Sequence, residues 1–333
     1  MANITVFGAG SWGTALAILL ARNGHRTGLW GRNPEHMAAL RTERRNRRYL
    51  PDAPFPENLE IRDDLGMAAT GAEIHLIAVP THAFESLLRG IKPYLPARPR
   101  VAWATKGLDT ESGRLLHEVA HEAIGPGASV AVLSGPTFAR EVAANLPTAI
   151  TVASESTEFA ETLVKLLHNS RFRAYTSGDI IGVQLGGATK NVLAIAAGVA
   201  DGLDFGANAR AALITRGLAE MMRLGLALGG KAETLMGLAG VGDLILTCTD
   251  DQSRNRRFGL GLGRGLPREE IVAAIGQEIE GIATTLILHR LAAARTIDMP
   301  ITEQTFRVLY EGLAPREAVH NLLIREPKPE ALG

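Results

Sequence analysis

Only six lysines occur in the chain, at 92, 106, 165, 190, 231 and 328, so a lysine in apolar surroundings stands out. Lys190 lies in Gly186-Gly-Ala-Thr-Lys190-Asn-Val-Leu-Ala-Ile-Ala-Ala, a stretch that reads as a buried helix. A buried ammonium is costly unless it is paired or used. Desolvation and neighbouring cations would lower its pKa toward working pH, as proton-transfer chemistry needs. The preceding glycines would let a ligand or another backbone approach. A structural lysine that snorkels to the surface is the alternative. Lys106 follows an apolar strand in Ala104-Thr105-Lys106-Gly107. Ligands of open α/β sheets gather at strand carboxyl ends, as also at Ala78-Val79-Pro80-Thr81, so Lys106 could meet a cofactor or an anionic substrate. An ordinary surface lysine is the other reading.

The opening residues carry a second kind of chemistry. Ile4 to Phe7 reads as a strand, and Gly8-Ala-Gly10-Ser11-Trp12-Gly13 follows at once, leading into an apolar helix. Gly8 permits the tight turn, Gly10 lets backbone approach a pyrophosphate, and Gly13 lets helix pack on strand. The helix N-terminus then offers free N–H groups to phosphate. G-x-G-x-x-G alone is weak, but between strand and helix it argues for a bound dinucleotide. Where an acidic residue would hold the ribose of NAD, the chain has Trp30-Gly31-Arg32-Asn33. An arginine there can receive a 2′-phosphate, which favours NADP; a solvated loop arginine is the plain alternative. The run Arg41 to Arg48 adds positive potential and is expected to be a mobile loop over the cofactor edge rather than a nucleic-acid site.

Three further clusters suit a small polar substrate. Ser134-Gly135-Pro136-Thr137-Phe138-Ala139 exposes backbone N–H groups and a hydroxyl, or is a plain tight turn. Gly237-Leu-Ala-Gly240-Val-Gly242-Asp243 leads into a helix; Asp243 is either an N-cap, a substrate ligand or a partner for Lys190. Ser253-Arg254-Asn255, followed by Arg256 and Arg257, is a compact phosphate site or a capped basic helix start. Three look-alikes are set aside. His117-Glu118-Val-Ala-His121 has zinc-protease spacing but no evident third ligand. Gly225 to Ala232 approaches a P-loop without its Ser/Thr or a preceding strand, and Gly261-Leu-Gly-Arg-Gly265 also lacks a strand. Cys248 reads as a small buried apolar residue.

Elements that alternate as βαβ units must position these groups. Strands are expected at Ile4–Phe7, Arg26–Trp30, Ile74–Val79, Val101–Ala104, Val130–Leu133 and Ala149–Val152. Helices are expected at Trp12–Asn23, Ala83–Leu88, Arg114–Ile124 and Thr157–Leu167. From about Ile180 strand signals fade, and helices are expected at Val183–Ala200, Ala207–Leu228, Thr234–Asp250, Glu269–Gly276 and Thr284–Ala294. The first of these is apolar nearly all round and should be buried. The reading is a Rossmann-type, doubly wound α/β domain over 1–180 and an all-α substrate domain over 181–333. The tail Glu326–Gly333, with two prolines, is expected to fray.

Charges balance, 35 basic against 35 acidic, so no global field favours nucleic acid or membrane. The single cysteine excludes an internal disulfide and suits a reducing cytosol. No signal peptide is read at the N-terminus, and no apolar run of membrane length is expected. The expectation is a cytoplasmic protein without stable membrane insertion.

In this order, Gly8-Ala-Gly-Ser-Trp-Gly-Thr-Ala, Ala104-Thr-Lys-Gly-Leu, Leu133-Ser-Gly-Pro-Thr-Phe-Ala, the Lys190 helix, Leu238-Ala-Gly-Val-Gly-Asp-Leu, Ser253-Arg-Asn and Glu280-Gly281 resemble the signature blocks of the bacterial NAD(P)-dependent glycerol-3-phosphate dehydrogenases. The resemblance spans essentially the whole chain. It implies a Rossmann domain, a helical domain like the C-terminal domain of 6-phosphogluconate dehydrogenase, and an active site in the cleft between them. It implies reversible reduction of dihydroxyacetone phosphate to sn-glycerol 3-phosphate by NADH or NADPH, feeding glycerophospholipid synthesis. Lys190 aligns with the proton donor and acceptor, and Lys106 with a residue touching cofactor and substrate. Gly135, Thr137, Asp243, Ser253, Arg254 and Asn255 align with substrate contacts. Ser11, Trp12, Arg32, Ala139, Arg254, Ile279 and Glu280 align with cofactor contacts, with Tyr49 a looser match. The chain has Glu278-Ile279-Glu280 where the family often shows Val-Val-Glu. A homodimer, another two-domain reductase and a non-enzymatic NADP sensor stay open, although a sensor needs no proton donor.

Overall fold

The computed structural model describes residues 1–326; the expected fraying of the tail Glu326–Gly333 lies, but for Glu326, outside the described residues. Contacts divide the chain into two compact units: residues 1–105 with 114–180, and residues 106–113 with those from 181 onward. Lys106 thus belongs to the same unit as Lys190 and Asp243.

The first unit contains strands β1 (Asn3–Phe7), β2 (Arg26–Trp30), β3 (Arg45–Asn46), β4 (Leu50–Pro54), β5 (Leu59–Arg62), β6 (Ile74–Ile77), β7 (Arg100–Trp103), β8 (Ser129–Ser134), β9 (Thr148–Ser154) and β10 (Phe172–Ser177). Eight of them form one sheet in the order β10-β9-β8-β7-β6-β1-β2-β5, and β3 pairs with β4 separately. Every neighbouring pair in the large sheet is parallel except β8 and β9. The chain runs outward from β1 to β2 and β5, then returns to β6 on the other side of β1. That reversal is the topological switch point, where a doubly wound sheet binds its ligand. β1 is packed on both faces, with Ile4, Thr5, Val6 and Phe7 all buried. Thr5 meets the requirement on its hydroxyl by donating to the Ala68 carbonyl at 2.9 Å.

Strands β5 and β10 lie outside the sequence expectation. Both are edge strands, and charged or polar residues alternate with apolar ones in Leu-Glu-Ile-Arg and Phe-Arg-Ala-Tyr-Thr-Ser, so neither shows an apolar run. Helices Pro34–Glu43, Leu65–Thr70 and Ala139–Ala143 are also additions.

The second unit is built on helix Ile180–Gly202, joined by Gly206–Ala227, Ala232–Leu235, Asp243–Thr249, Arg254–Gly263, Arg268–Ile275, Glu280–Ala294, Pro300–Tyr310 and Pro315–Leu323. Contrary to the expectation of no membrane-length run, Ile180–Gly202 is long and apolar enough to cross a bilayer, as is the interrupted stretch Ala232–Thr249. In the first, 89% of the apolar window is buried inside the protein, so its hydrophobicity serves the core. The single helix expected over Thr234–Asp250 is instead broken by a π-type turn at Leu238–Gly242. The chain doubles back there so closely that a side chain at Gly240 would overlap the Leu235 carbonyl.

Close glycine contacts also set a helix crossing. Gly198 and Gly202 face Arg256 and Leu260, while Gly259 and Gly263 face Ile195 and Val199. At Gly259 an added Cβ would overlap the Ile195 carbonyl, which is backbone in a buried helix and cannot turn aside. Gly259→Ala is therefore expected to cost about 1–3 kcal/mol, the usual range for overpacking. Urea unfolding monitored by circular dichroism checks this; an unchanged midpoint would contradict it.

Candidate active site

In the first unit, β1 ends in the glycine loop. Gly8 has φ +124°, a conformation that favours glycine, and a side chain there would overlap the Ala78 carbonyl. Gly13 lies so close to the Gly8 carbonyl that helix Ser11–Arg22 could not seat with a larger residue. At Gly10, by contrast, a Cβ would meet nothing within 4 Å. The open space is therefore on the ligand side of the loop. Gly10 occupies the N-cap of the helix with no side-chain cap and no acidic residue in the first turn. Such an end leaves N–H groups and a positive dipole for phosphate. Trp12 adds a buried indole N–H without a partner among the described residues. The loop, its uncapped helix and the switch point fit a dinucleotide pyrophosphate.

Side chains that sequence reasoning missed hold this loop. Asn46 is fully buried, and its amide donates to the Ala9 carbonyl at 3.1 Å and to the Thr14 hydroxyl at 2.8 Å. The His36 Nε2 atom lies 3.2 Å from the same carbonyl. These contacts correct the reading of Arg41 to Arg48 as a mobile loop. The run is a helix end followed by the β3–β4 hairpin. Arg41 pairs with Asp63, Arg44 donates to the Leu59 and Pro56 carbonyls, and Arg47 pairs with Glu43. Arg32 is exposed just beyond β2. Asn33 serves as a helix cap, accepting from the His36 amide at 2.9 Å. Tyr49 is half-buried, with its ring edge-on to His36 at 5.7 Å.

After β8, Gly135 is buried at φ +153°, and Thr137 and Ala139 are half-buried. The Thr137 hydroxyl donates to the Gly135 carbonyl at 3.2 Å. The Ser134 hydroxyl is buried without a partner among the described residues.

The second unit gathers the two lysines. Gly186 touches the π-type turn, and a side chain there would overlap the Ala239 carbonyl. Lys190 is four residues further on the same helix face. The turn is therefore delivered directly beside it, and Asp243 begins the next helix. Asp243 is 1% exposed and binds both lysines: Lys190 Nζ is 2.5 Å from Oδ1 and Lys106 Nζ is 2.7 Å from Oδ2. Of the readings open for Asp243, pairing with Lys190 is the observed one; Gly242 occupies the N-cap.

Thr247, one turn after Asp243, completes the cluster. Its hydroxyl accepts from Lys190 at 3.0 Å and donates to the Asp243 carbonyl at 2.6 Å. The recurrence of polar residues at 243 and 247 in an apolar helix was the available signal. Burial drives the Lys190 ammonium down to about 7, with Lys106 assisting and Asp243 opposing. Burial alone would raise Asp243, but Lys106 and Lys190 together hold its carboxyl below the usual range. At neutral pH the cluster thus holds a fixed carboxylate and an amine that can give or take a proton.

The Ser253–Asn255 residues show both capping and an unused donor. The Ser253 hydroxyl accepts from the Arg256 amide at 3.2 Å, as a helix cap does. Asn255 is buried; its Oδ1 accepts from Gly281 at 3.0 Å and its amide donates to Asn191 Oδ1 at 2.9 Å. Among the described residues one amide hydrogen remains without an acceptor. Arg254 is half-buried. Arg256 does not join an anion site: its guanidinium pairs with Asp201 at 2.6 Å and with Asp251. Ile279 is buried and Glu280 half-buried at the start of helix Glu280–Ala294. In the HExxH look-alike, Glu118 accepts from the Leu115 amide and His121 lies 3.3 Å from Glu155. Cys248 is fully buried, and burial pushes its thiol up to about 12.

The chain is similar to known sequences and structures along its length. Residues 3–160 match the profile of the NAD-dependent glycerol-3-phosphate dehydrogenase N-terminus, and 179–320 that of the C-terminus. The glycerol-3-phosphate dehydrogenase (NAD(P)+) of Methylococcus capsulatus is 64% identical over 98% of both chains. That of Pseudoalteromonas translucida is 58% identical over 98% of both. The crystal structure of glycerol-3-phosphate dehydrogenase from Coxiella burnetii superimposes with a TM-score of 0.95 at 52% identity, covering 97% of this chain and 99% of that one. With both profiles matched and these relatives aligned along nearly its full length, the chain belongs to the NAD-dependent glycerol-3-phosphate dehydrogenase family.

Proposed function

We infer that the chain is an NAD(P)H-dependent glycerol-3-phosphate dehydrogenase, reducing dihydroxyacetone phosphate reversibly to sn-glycerol 3-phosphate. The buried Lys190–Asp243–Lys106 cluster carries this reading, because it provides a proton donor of suitable pKa among fixed charges. In this assignment residues 1–180 bind the dinucleotide and those from 181 onward hold the substrate. Gly8, Gly10, Ser11, Trp12, Gly13, Arg32, Tyr49, Lys106, Ala139, Arg254, Ile279 and Glu280 serve the cofactor. Lys106, Gly135, Thr137, Asp243, Ser253, Arg254 and Asn255 serve the substrate beside Lys190. The product supplies glycerophospholipid synthesis in the cytoplasm.

When bound, the dihydronicotinamide supplies a hydride to the ketone carbon. Negative charge grows on the carbonyl oxygen, where Lys190 as ammonium stabilises it and gives up its proton. Asp243 holds the Lys190 Nζ in place with Thr247, while Lys106 contributes positive potential. Arg254, with Ser253 and the spare amide hydrogen of Asn255, takes the phosphate. That remote binding energy orients the ketone. In the reverse direction neutral Lys190 accepts the hydroxyl proton.

The test is loss of NADPH absorbance when dihydroxyacetone phosphate is added, with unphosphorylated dihydroxyacetone as comparison. No oxidation with either compound would sink the reading; oxidation with other small carbonyl compounds alone would favour a different two-domain reductase. For the cofactor, Arg32→Ala is expected to lower kcat/KM with NADPH by about tenfold, the scale of one charge-assisted contact, while NADH is little affected. Equal losses with the two cofactors would remove Arg32 from 2′-phosphate recognition.

A further inference from the structure

The arginine run beside the glycine loop divides by partner. Arg41 and Arg47 are in ion pairs and Arg44 is spent on backbone carbonyls. Among the described residues, Arg45 and Arg48 have no carboxylate at ion-pair distance; both are exposed, as is Arg32.

The hairpin's geometry separates Arg45 from Arg48. Asn46 points to the glycine loop, since its amide reaches the Ala9 carbonyl. Arg45 is its strand neighbour across a register irregularity of the β3–β4 pair, and among the described residues its guanidinium lies over no aromatic ring. Arg48 lies beyond Asn46 in a turn closed by the Tyr49 amide on the Asn46 carbonyl at 3.2 Å. Its guanidinium lies 5.2 Å from the Tyr49 ring centroid. Tyr49 is edge-on to His36, and His36 contacts Ala9. Gly31, the residue before Arg32, reaches the same point: a Cβ on it would stand 2.9 Å from the Ala9 side chain. Two uncompensated guanidiniums thus issue from segments that converge on Ala9, next to the loop that fits a pyrophosphate.

We propose that Arg48, held by the Tyr49 ring, is a second specificity-determining residue for the 2′-phosphate of NADPH, acting with Arg32. The proposal rests on the dinucleotide reading above. A phosphate monoester dianion is matched by two planar, permanently charged donors better than by one. The ribose hydroxyl of NADH offers no charge to them. Stacking on Tyr49 restricts the Arg48 side chain before the ligand arrives, which reduces the ordering cost.

Equilibrium titration of the whole enzyme with NADPH, NADH, 2′,5′-ADP and 5′-AMP tests this without turnover. Arg48→Gln is expected to weaken NADPH and 2′,5′-ADP by about tenfold or more, and to leave NADH and 5′-AMP within about twofold. Arg48→Lys should recover part of the loss, and Arg45→Gln should change none of the four. Equal weakening of NADPH and NADH would overturn the proposal, since Arg48 would then serve structure or the shared pyrophosphate. Unchanged binding of all four by Arg48→Gln would overturn it too. A parent enzyme that binds neither dinucleotide would overturn the functional reading together with it, whereas parent binding with an indifferent Arg48 variant sinks this proposal alone.

Discussion

Replacing Lys190 by methionine is expected to lower turnover of dihydroxyacetone phosphate by about 10²- to 10⁴-fold, the range of a positioned general acid. Cofactor affinity should remain within about twofold, because the dinucleotide loop belongs to the other unit. Methionine keeps most of the side-chain volume and removes a buried charge, so the helix should still pack. The pH dependence gives a sharper signature. The Lys190 amine is brought down to about 7 by burial. Reduction needs the ammonium, so kcat/KM for the ketone should fall as pH rises through about 7. Oxidation of sn-glycerol 3-phosphate needs the free amine, so its kcat/KM should rise through the same pH. The methionine variant should show neither limb. Near-parental turnover in that variant, or two flat profiles in the parent, would remove Lys190 from the chemistry.

The lysine and the glycine loop are legible in the sequence for the same reason. Each is a residue type whose physical cost demands an explanation where it stands. Lys190 is a charge in an apolar helix, and Gly8, Gly10 and Gly13 stand between a strand and a helix. Arg26–Trp30 and Thr157–Leu167 also coincide with their expected limits, since apolar pattern and flanking residues agree there. Less legible are residues whose role depends on chain segments far apart. Asn46 reads as one polar residue in an arginine run, yet it is buried because the hairpin folds it onto Ala9 and Thr14. Asn191 acquires its role only when Asn255 arrives from another helix, which in turn accepts from Gly281. The break inside Thr234–Asp250 was written in its glycines, but composition alone made the segment look continuous. That break shapes the candidate site, since it sets the Leu238–Gly242 turn on Gly186 and brings Asp243 to Lys190.

Asp243→Asn should therefore damage the protein in two separable ways. The carboxylate is almost completely buried between two ammonium groups. Removing one partner of such a pair typically costs about 3–5 kcal/mol, because the remaining charge is stranded. Lys106 is 17% exposed and can turn toward water, so most of the cost falls on Lys190, which is 8% exposed. Lys190 has an escape, since it can lose its proton. Its pKa in the folded parent already lies near 7, below the unfolded value of about 10.4. The unfolded chain consequently binds more protons than the folded one between those values, and stability from this group rises with pH. Without Asp243 the folded pKa drops further, so the variant's stability deficit should be largest well below pH 7, shrink as pH rises toward about 7 and level off above it. The same shift leaves less ammonium at neutral pH, so the falling limb of the reduction profile should move to lower pH. Denaturant midpoints and kcat/KM measured across pH read the two effects independently. A deficit that does not vary with pH, or a reduction profile that stays in place, would show that Asp243 does not sustain the charge on Lys190.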